Sequence, residues 1–390
     1  MGNLILNSLE IRNFRGFQDL KIERLGRVNL IVGKNNIGKS SLLEALQLYA
    51  RRGSPEIIWE ILKTRDENRQ PVSRITRRIV KIEDLLASLR YLFYGRKEIK
   101  GFLDPITIGP INSPEEELSI TVGWYPSRSD DAGNRTAMQL QLLQPEEYSV
   151  IENPTPRFVI QIDNQPKINY PLRVDPSNLL SSELEEIGCV FVSADGLNRD
   201  GERGIDLVDL WDGVALTPLE NEVLNSLRII APGVEGLNFL GDTQSVRLET
   251  RRDVVSYLRR IPTVRVVGID EPIPLRSLGD GMQRMLGIIL ALVNAKDGML
   301  LIDEIENGIH YSVQPDLWRL IFQLAHRLNV QVFATTHSRD CIEGFQEAAQ
   351  ENTQEEGMLI RLSVKGDEVI ATLFDERKLG IANREQIEVR

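Results

Sequence analysis

A glycine-rich loop between an apolar run and a helical pattern constrains this chain more than any other feature. Residues 33–40 read GKNNIGKS, which fits the phosphate-loop pattern G-x-x-x-x-G-K-S. In such a loop, glycines let backbone N–H groups converge on phosphate oxygens, while the lysine neutralises the terminal phosphates and the serine binds Mg²⁺. Residues 28–32 predict the buried strand that should precede the loop, and residues 41–46 predict the helix that should follow it. The sequence therefore predicts a nucleotide-binding α/β protein.

The residues expected to contact ATP lie in and just after this phosphate loop. They are Gly33, Asn35, Asn36, Gly38, Lys39, Ser40 and Ser41. Lys39 is expected to reach the β- and γ-phosphates, and Ser40 is expected to bind Mg²⁺.

Two adjacent carboxylates follow a second apolar run late in the chain. Leu300 to Ile302 predict a buried strand, and Asp303 and Glu304 (the acidic pair) come directly after it. A carboxylate at a strand end can hold the same Mg²⁺ ion through water, so Asp303 joins Ser40 as a predicted metal ligand. The next carboxylate can orient or deprotonate the attacking water. Glu304 is therefore the predicted catalytic base, acting with Lys39.

A histidine ends the next apolar strand. Residues 332–338 read VFATTHS, and ligands of open α/β sheets bind at the carboxyl ends of strands. We therefore expect His337 to face the γ-phosphate as a third catalytic residue.

A glycine-rich segment also opens a predicted helix. Residues 277–281, SLGDG (the glycine turn), precede a helical pattern over 285–292. A glycine turn at a helix start presents free N–H groups and the positive end of the helix dipole to an anion. An ordinary turn without a ligand explains this segment equally well when it is taken alone.

The order of these motifs resembles the ABC-type ATPase head. Within that superfamily, residues 11–17 (IRNFRGF), the phosphate loop and residues 302–310 (IDEIENGIH) resemble the SMC/RecF-like branch. The closest resemblance is to OLD-family ATPase heads and to the ATPase subunits of anti-phage systems such as PARIS. It implies a P-loop head with a mixed sheet, an antiparallel β subdomain and α-helical insertions. The sequence contains no sustained heptad pattern, so no long coiled coil is expected.

The resemblance also implies partners and further site residues. Two heads would pair as a homodimer or a higher homo-oligomer, with the glycine turn of one subunit completing the ATP site of the other. Residues 278–282 read LGDGM where the family has a Leu-Ser-Gly-Gly-Gln type, so Ser277 is the nearest serine. The resemblance thus implies nucleotide contacts by Ser277, Gly279 and Gly281, and base or ribose contacts by Asn13, Phe14 and Arg15.

Composition narrows the remaining classes of function. A net charge of −11 disfavours nucleic acid bound over the whole surface, although a local basic group at Arg74, Arg77, Arg78 and Lys81 keeps DNA possible. Two cysteines are too few for a disulfide framework, and no apolar run is long enough for a membrane span, so a cytoplasmic protein is expected.

The predicted function is an ATP-dependent switch that controls a separately encoded effector, a nuclease or a toxin, in anti-phage defence. The chain contains no Asp-x-Asp pair of the kind a Toprim nuclease uses. Two alternatives stay open at this point: a RecF-type repair ATPase that binds DNA directly, and an assembly scaffold that turns ATP over very slowly.

The expected organisation divides the chain into five parts. Residues 1–52 hold a β meander and the phosphate loop, and 53–184 form a helical and antiparallel β insertion. Residues 185–199 add a core strand, and 200–265 form an α/β insertion with helices at 218–230 and 251–260. Residues 266–390 complete the head and end in a hairpin.

Overall fold

The computed structural model describes residues 4–68, 81–126, 154–163, 165–172, 185–196, 206–241, 246–249, 254–257, 260–352 and 357–375. The basic residues Arg74, Arg77 and Arg78 and parts of the predicted insertions at 53–184 and 200–265 lie outside these ranges.

Seventeen strands lie in the described residues. They are β1 Leu9–Phe14, β2 Phe17–Ile22, β3 Val28–Val32, β4 Ile106–Gly109, β5 Leu118–Tyr125, β6 Thr155–Ile162, β7 Ile168–Pro171, β8 Cys189–Val192, β9 Val234–Gly241, β10 Val246–Glu249, β11 Val254–Tyr257, β12 Arg260–Val266, β13 Ile273–Pro274, β14 Met299–Ile302, β15 Gln331–Thr335, β16 Gly357–Lys365 and β17 Glu368–Phe374.

Eight α-helices accompany these strands in the described part of the chain. They are α1 Lys39–Ala50, α2 Pro55–Thr64, α3 Ile82–Leu89, α4 Leu207–Asp212, α5 Pro218–Ile230, α6 Asp280–Asn294, α7 Gln314–Arg327 and α8 Arg339–Glu351.

A six-stranded mixed sheet forms the centre of the fold, in the order β17-β16-β3-β15-β14-β8. All neighbours in it are parallel except the pair β16 and β17, which forms the predicted C-terminal hairpin. Strand β15 lies between β3 and β14, so the strands that precede the phosphate loop, His337 and the acidic pair end at one edge of the sheet. We call this edge the catalytic edge.

Both faces of the central sheet are covered, which explains its continuous apolar runs. Alternate side chains of a strand point to opposite faces. In β3, Leu30 and Val32 pack in a core with α6 and α7, whereas Ile31 packs in a second core with α1. A parallel strand covered on both faces has no solvated side, so the alternation seen in half-exposed strands is lost.

An antiparallel sheet in the order β2-β1-β4-β5-β6-β7 packs over the second core. The predicted N-terminal meander is confirmed as the hairpin β1–β2, and its strand β1 pairs with β4 of the following region. The hairpin and the strands of residues 53–184 therefore belong to one sheet. This arrangement agrees with the predicted head with an antiparallel β subdomain.

The predicted helix over residues 251–260 is wrong. Val254–Tyr257 form strand β11, which pairs with β10, and Arg260 begins β12, which pairs with β9. Val254 and Val255 are β-branched and favour a strand, and the pairing with β10 satisfies their backbone groups. The helix predicted at 218–230 is confirmed, with the Thr217 hydroxyl accepting from the backbone N–H of Leu219 at its start.

Candidate functional site

Two glycines shape the phosphate loop. Gly33 has φ +148°, and a Cβ atom there would lie 2.7 Å from the carbonyl oxygen of Leu362 in β16. Gly38 has φ +108°, and a Cβ atom there would lie 2.8 Å from the ring of Phe17. Both positions combine a left-handed backbone with close packing, so only glycine fits them. The loop pattern in the sequence thus reflects the space that β16 and the β1–β2 hairpin leave.

The start of α1 suits an anion. Its first turn contains no acidic residue, and no side chain caps it, so its first backbone N–H groups and the positive end of the helix dipole are available. The ammonium group of Lys39 donates to the carbonyl oxygens of Gly33 at 2.7 Å and Lys34 at 3.3 Å. These residues fit a nucleoside triphosphate with Mg²⁺. Ser40 would supply the hydroxyl ligand of the metal ion.

The acidic pair is held by the neighbouring strand. The buried hydroxyl of Thr335, the last residue of β15, donates to Oδ1 of Asp303 at 2.5 Å. The same hydroxyl oxygen accepts a hydrogen bond from the backbone N–H of Glu304 at 2.9 Å. Thr335 therefore fixes the carboxylate expected to hold Mg²⁺ and the backbone of the expected base. Sequence reasoning assigned Thr335 no role, although it lies in the strand-end pattern that identified His337.

Glu304 has an unusual backbone and a defined side chain. Its φ of +46° lies in the left-handed region, which costs a non-glycine residue about 1–2 kcal/mol. Its Oε2 atom accepts from the side-chain amide of Asn307 at 2.8 Å, and that amide also donates to the carbonyl of Ala194 at 3.2 Å. The surrounding hydrogen bonds therefore keep the carboxylate at the catalytic edge, where 38% of the side chain is exposed.

His337 comes together with the acidic residues, as its position after β15 predicts. Its Nδ1 atom lies 3.8 Å from Oε1 of Glu304 and 3.1 Å from Oε1 of Glu306. The His337 side chain is 43% exposed, so the ring lies at the open side of the catalytic edge.

The glycine turn lies next to the segment after the acidic pair. Leu275–Leu278 form a 3₁₀ turn, and α6 follows Gly279, whose φ is +127°. Ser277 and Gly279 are exposed, and a Cβ atom on Gly279 would meet nothing within 4 Å. A Cβ atom on Gly281 would instead lie 2.7 Å from the carbonyl oxygen of Gly308. The outer side of the turn is therefore open, whereas Gly281 is a packing position.

Arg284 lies in α6, the helix that follows the glycine turn, and contacts the backbone of the acidic pair. Its guanidinium donates to the carbonyl oxygens of Ser193 at 2.7 Å, Asp303 at 3.0 Å and Glu304 at 3.3 Å. Burial lowers the pKa of Arg284 from its ordinary value, and the nearby carboxylates oppose that shift. Sequence reasoning missed this contact, because it joins residues about 20 positions apart.

Asn13, Phe14 and Arg15, which the resemblance places near the base and ribose, all have contacts within the chain. The Phe14 ring is fully buried in the second core, and the Arg15 guanidinium is bound by Glu44 at 2.5 Å and by Glu67 at 2.9 Å. Asn13 donates its amide to the carbonyl of Asp104 at 2.6 Å. These contacts fix the β1–β2 hairpin against α1 and the residues after α2, and they occupy the side chains expected at the base and ribose.

Two protein-family models match the chain on either side of its middle. The model described as "AAA ATPase domain" matches residues 5–93, which include the phosphate loop. The model described as "AAA domain, putative AbiEii toxin, Type IV TA system" matches residues 235–340, which include the glycine turn, the acidic pair and His337.

Curated relatives agree with these matches. The chain is 25% identical over 365 residues to an ATP/GTP phosphatase of Helicobacter pylori, covering 89% of each protein. It is 28% identical over 147 residues to the DNA replication and repair protein RecF of Pseudoalteromonas translucida, covering 37% of this chain and 34% of that protein. These relatives and the two ATPase family models agree that the chain is an ATPase.

The chain is an ATPase that is similar to the SMC/RecF-like branch of the ABC type. Among solved structures, an SMC head bound to the C-winged helix domain of ScpA matches this ATPase with a TM-score of 0.47 and 13% identity, over 96% of this chain and 99% of that chain. Within the described residues of the ATPase, no helix is long and apolar enough to cross a membrane.

Proposed function

We propose that this ATPase is a nucleotide-driven switch, in which ATP closes two copies head to head and hydrolysis releases them. The observation that carries the proposal is the double role of α6. Its N-terminal glycine turn is open on the outer side, where a second copy's nucleotide would bind, and its Arg284 holds the backbone of the acidic pair in its own subunit. A movement of the turn would therefore reach the hydrolytic residues directly.

The residues take separate roles in this proposal. The phosphate loop and Lys39 bind the phosphates, while Ser40 and Asp303 would hold Mg²⁺, which offsets the phosphate charge. Glu304 accepts the proton of the attacking water, and His337 contacts the γ-phosphate side of the site. Ser277 and Gly279 of the partner close the site from the other side.

We propose that the switch controls a separately encoded effector in anti-phage defence, in line with the resemblance to OLD-family and PARIS-type ATPases. The family description that names a toxin of a type IV toxin–antitoxin system supports this class. A defence switch should protect cells only together with its effector. Plating phage on cells that carry the native gene neighbourhood, with either the wild type or Lys39→Ala, tests this; equal plating efficiency on both would count against it.

Direct DNA binding is the second candidate, favoured by the RecF relatives. It predicts that double-stranded DNA stimulates ATP hydrolysis and that added salt weakens the stimulation, because phosphate contacts release counterions. A rate unchanged by DNA at low salt would remove this candidate.

Measuring molar mass in solution tests head-to-head closure. Glu304→Gln should retain ATP, because the phosphate loop is intact, and should elute at twice the chain's mass with ATP and Mg²⁺ but not with ADP. Lys39→Ala is the control and should show no nucleotide dependence. A mass that ignores nucleotide in Glu304→Gln would overturn the proposed closure.

A further inference from the structure

The carboxylate of Glu306 lies beside the ring of His337, and the roles proposed above leave it without a function. Its Oε1 atom accepts a hydrogen bond from the backbone N–H of His337 at 2.9 Å and lies 3.1 Å from Nδ1 of the same residue. The Glu306 side chain is only 8% exposed, compared with 43% for His337. A buried carboxylate thus faces the inner edge of a partly exposed imidazole.

The Glu306 carboxylate can accept further hydrogen bonds. Its Oε2 atom is buried and has no hydrogen-bond partner among the described residues. A buried carboxylate with a single hydrogen-bond donor is costly, because one N–H replaces only part of the hydration that its charge loses. The separation of 3.1 Å between Oε1 and Nδ1 is within hydrogen-bond range, so an N–H on Nδ1 would compensate part of that cost.

We propose that Glu306 is a positioning residue that holds His337 as the Nδ1–H tautomer. A neutral imidazole carries one N–H, and the partner of one nitrogen decides which nitrogen is protonated. With the proton on Nδ1 next to Glu306, Nε2 keeps its lone pair and can accept a hydrogen bond from the attacking water at the catalytic edge. This inference rests on the proposed role of His337 in hydrolysis.

Two variants of similar size separate the roles of Glu306. Glu306→Gln keeps a carbonyl oxygen that can accept from Nδ1–H, whereas Glu306→Met removes every acceptor. Glu306→Met should lower kcat about 10-fold or more while KM for ATP changes less than about twofold, and Glu306→Gln should retain most of the wild-type kcat. Thermal unfolding and ATP binding confirm that both variants fold.

The tautomer itself is measurable. The chain has three histidines, so the ¹⁵N signals of His337 can be assigned by comparison with His337→Ala. Spectra recorded at pH 8.5, above the ordinary histidine pKa of about 6.5, should show a protonated Nδ1 in the wild type and in Glu306→Gln. In Glu306→Met, the proton should move to Nε2.

A double variant separates positioning from general stability. If Glu306 acts through His337, Glu306→Met should lower kcat no further once His337 is alanine. An equal loss in both backgrounds, or an unchanged tautomer in Glu306→Met, would overturn the inference. If His337→Ala alone hydrolyses ATP at the wild-type rate, the proposed role of His337 is wrong, which is a separate result.

Discussion

At the scale of single residues, the catalytic edge depends on side chains that hold other side chains. Thr335 fixes Asp303 and the backbone of Glu304, Asn307 fixes the Glu304 carboxylate, and Glu306 contacts His337. The contacts of Thr335 and of Glu306 cross from one strand end to the next, whereas Asn307 and Glu304 lie in the same segment after β14. The residues expected to react are therefore set in place by hydrogen bonds within the catalytic edge.

Replacing the expected base tests the centre of the site. Glu304→Gln should bind ATP like the wild type but hydrolyse it about 10² times more slowly or worse, because the amide cannot accept the water's proton. Lys39→Ala should lose ATP binding or turnover. Phosphate release and nucleotide binding are the measurements. Glu343→Gln, on the exposed face of α8, is the matched control and should behave like the wild type. Wild-type turnover in Glu304→Gln would show that another group activates the water.

Removing the Thr335 hydroxyl should loosen the acidic pair. Thr335→Val has nearly the same shape but leaves Oδ1 of Asp303 without this donor and the N–H of Glu304 without its acceptor. We expect kcat to fall about 10-fold and the free energy of unfolding to fall by about 1–3 kcal/mol, because both groups are partly buried. Thr335→Ser keeps the hydroxyl and should retain most activity. Steady-state kinetics and urea unfolding of both variants decide the matter; equal behaviour of valine and serine would contradict the role of the hydroxyl.

At the scale of elements, α6 connects the glycine turn with the backbone of the acidic pair. Its first residues form the open end of the glycine turn, and Arg284 lies one turn further along, against the carbonyls that follow β14 and β8. The lateral packing of Gly281 on Gly308 fixes the helix start against the segment that contains Asn307. The position of the turn and the geometry of the acidic pair are therefore coupled through one helix.

Mixing two inactive variants tests whether the glycine turn acts across a dimer. Ser277 suits the test because it is exposed, whereas a side chain at Gly281 would meet the Gly308 backbone and disturb the fold. Ser277→Arg should bind ATP but hydrolyse little, because a large side chain blocks the facing nucleotide. Mixed with Lys39→Ala, it should recover up to one working site per mixed pair.

The control for this mixture is confirmed exchange of subunits, measured with two differently labelled chains. Ser277→Ala should retain more activity than Ser277→Arg, since it leaves the turn open. If exchange occurs and no mixing ratio restores hydrolysis, the site is not shared between subunits.

At the scale of the whole molecule, one central sheet separates two cores, and the predicted site residues after its strands lie at one edge of it. The reactivity of Cys341 in α8 depends on this arrangement. The thiol is buried in one of the two cores, and burial raises its pKa to about 12. A deprotonated thiolate is the reactive form, so a buried thiol should be inert at neutral pH.

Alkylation measures that burial. At pH 8, iodoacetamide should modify Cys341 in the folded protein at least about 10² times more slowly than in urea, because its thiolate is scarce and covered. Since the folded pKa of this thiol lies above its unfolded value of 9.0, its stabilising contribution is complete below pH 9 and is lost as pH rises towards 12. Mass spectrometry of timed samples gives the rates of alkylation in buffer and in urea. Equal rates in buffer and in urea would mean that the core around Cys341 does not cover the thiol.

The sequence by itself determined the features that depend on neighbouring residues in the chain. The phosphate loop, the apolar runs of β3, β14 and β15 and the span of α5 all follow from local spacing, and the structure contains each of them. Local patterns succeed there because the backbone conformation and the covered faces impose the same residue types wherever such elements occur.

Only the tertiary structure decided which residues act through others. The pairing of β11 with β10 replaced a predicted helix, and Arg15 forms ion pairs with Glu44 and Glu67 that no local pattern indicates. The contacts of Thr335 with Asp303 and of Arg284 with Ser193 join residues far apart in the chain. Such contacts produce no periodic pattern in the sequence. They exist only where the order of strands in the sheet brings separate strand ends to one edge.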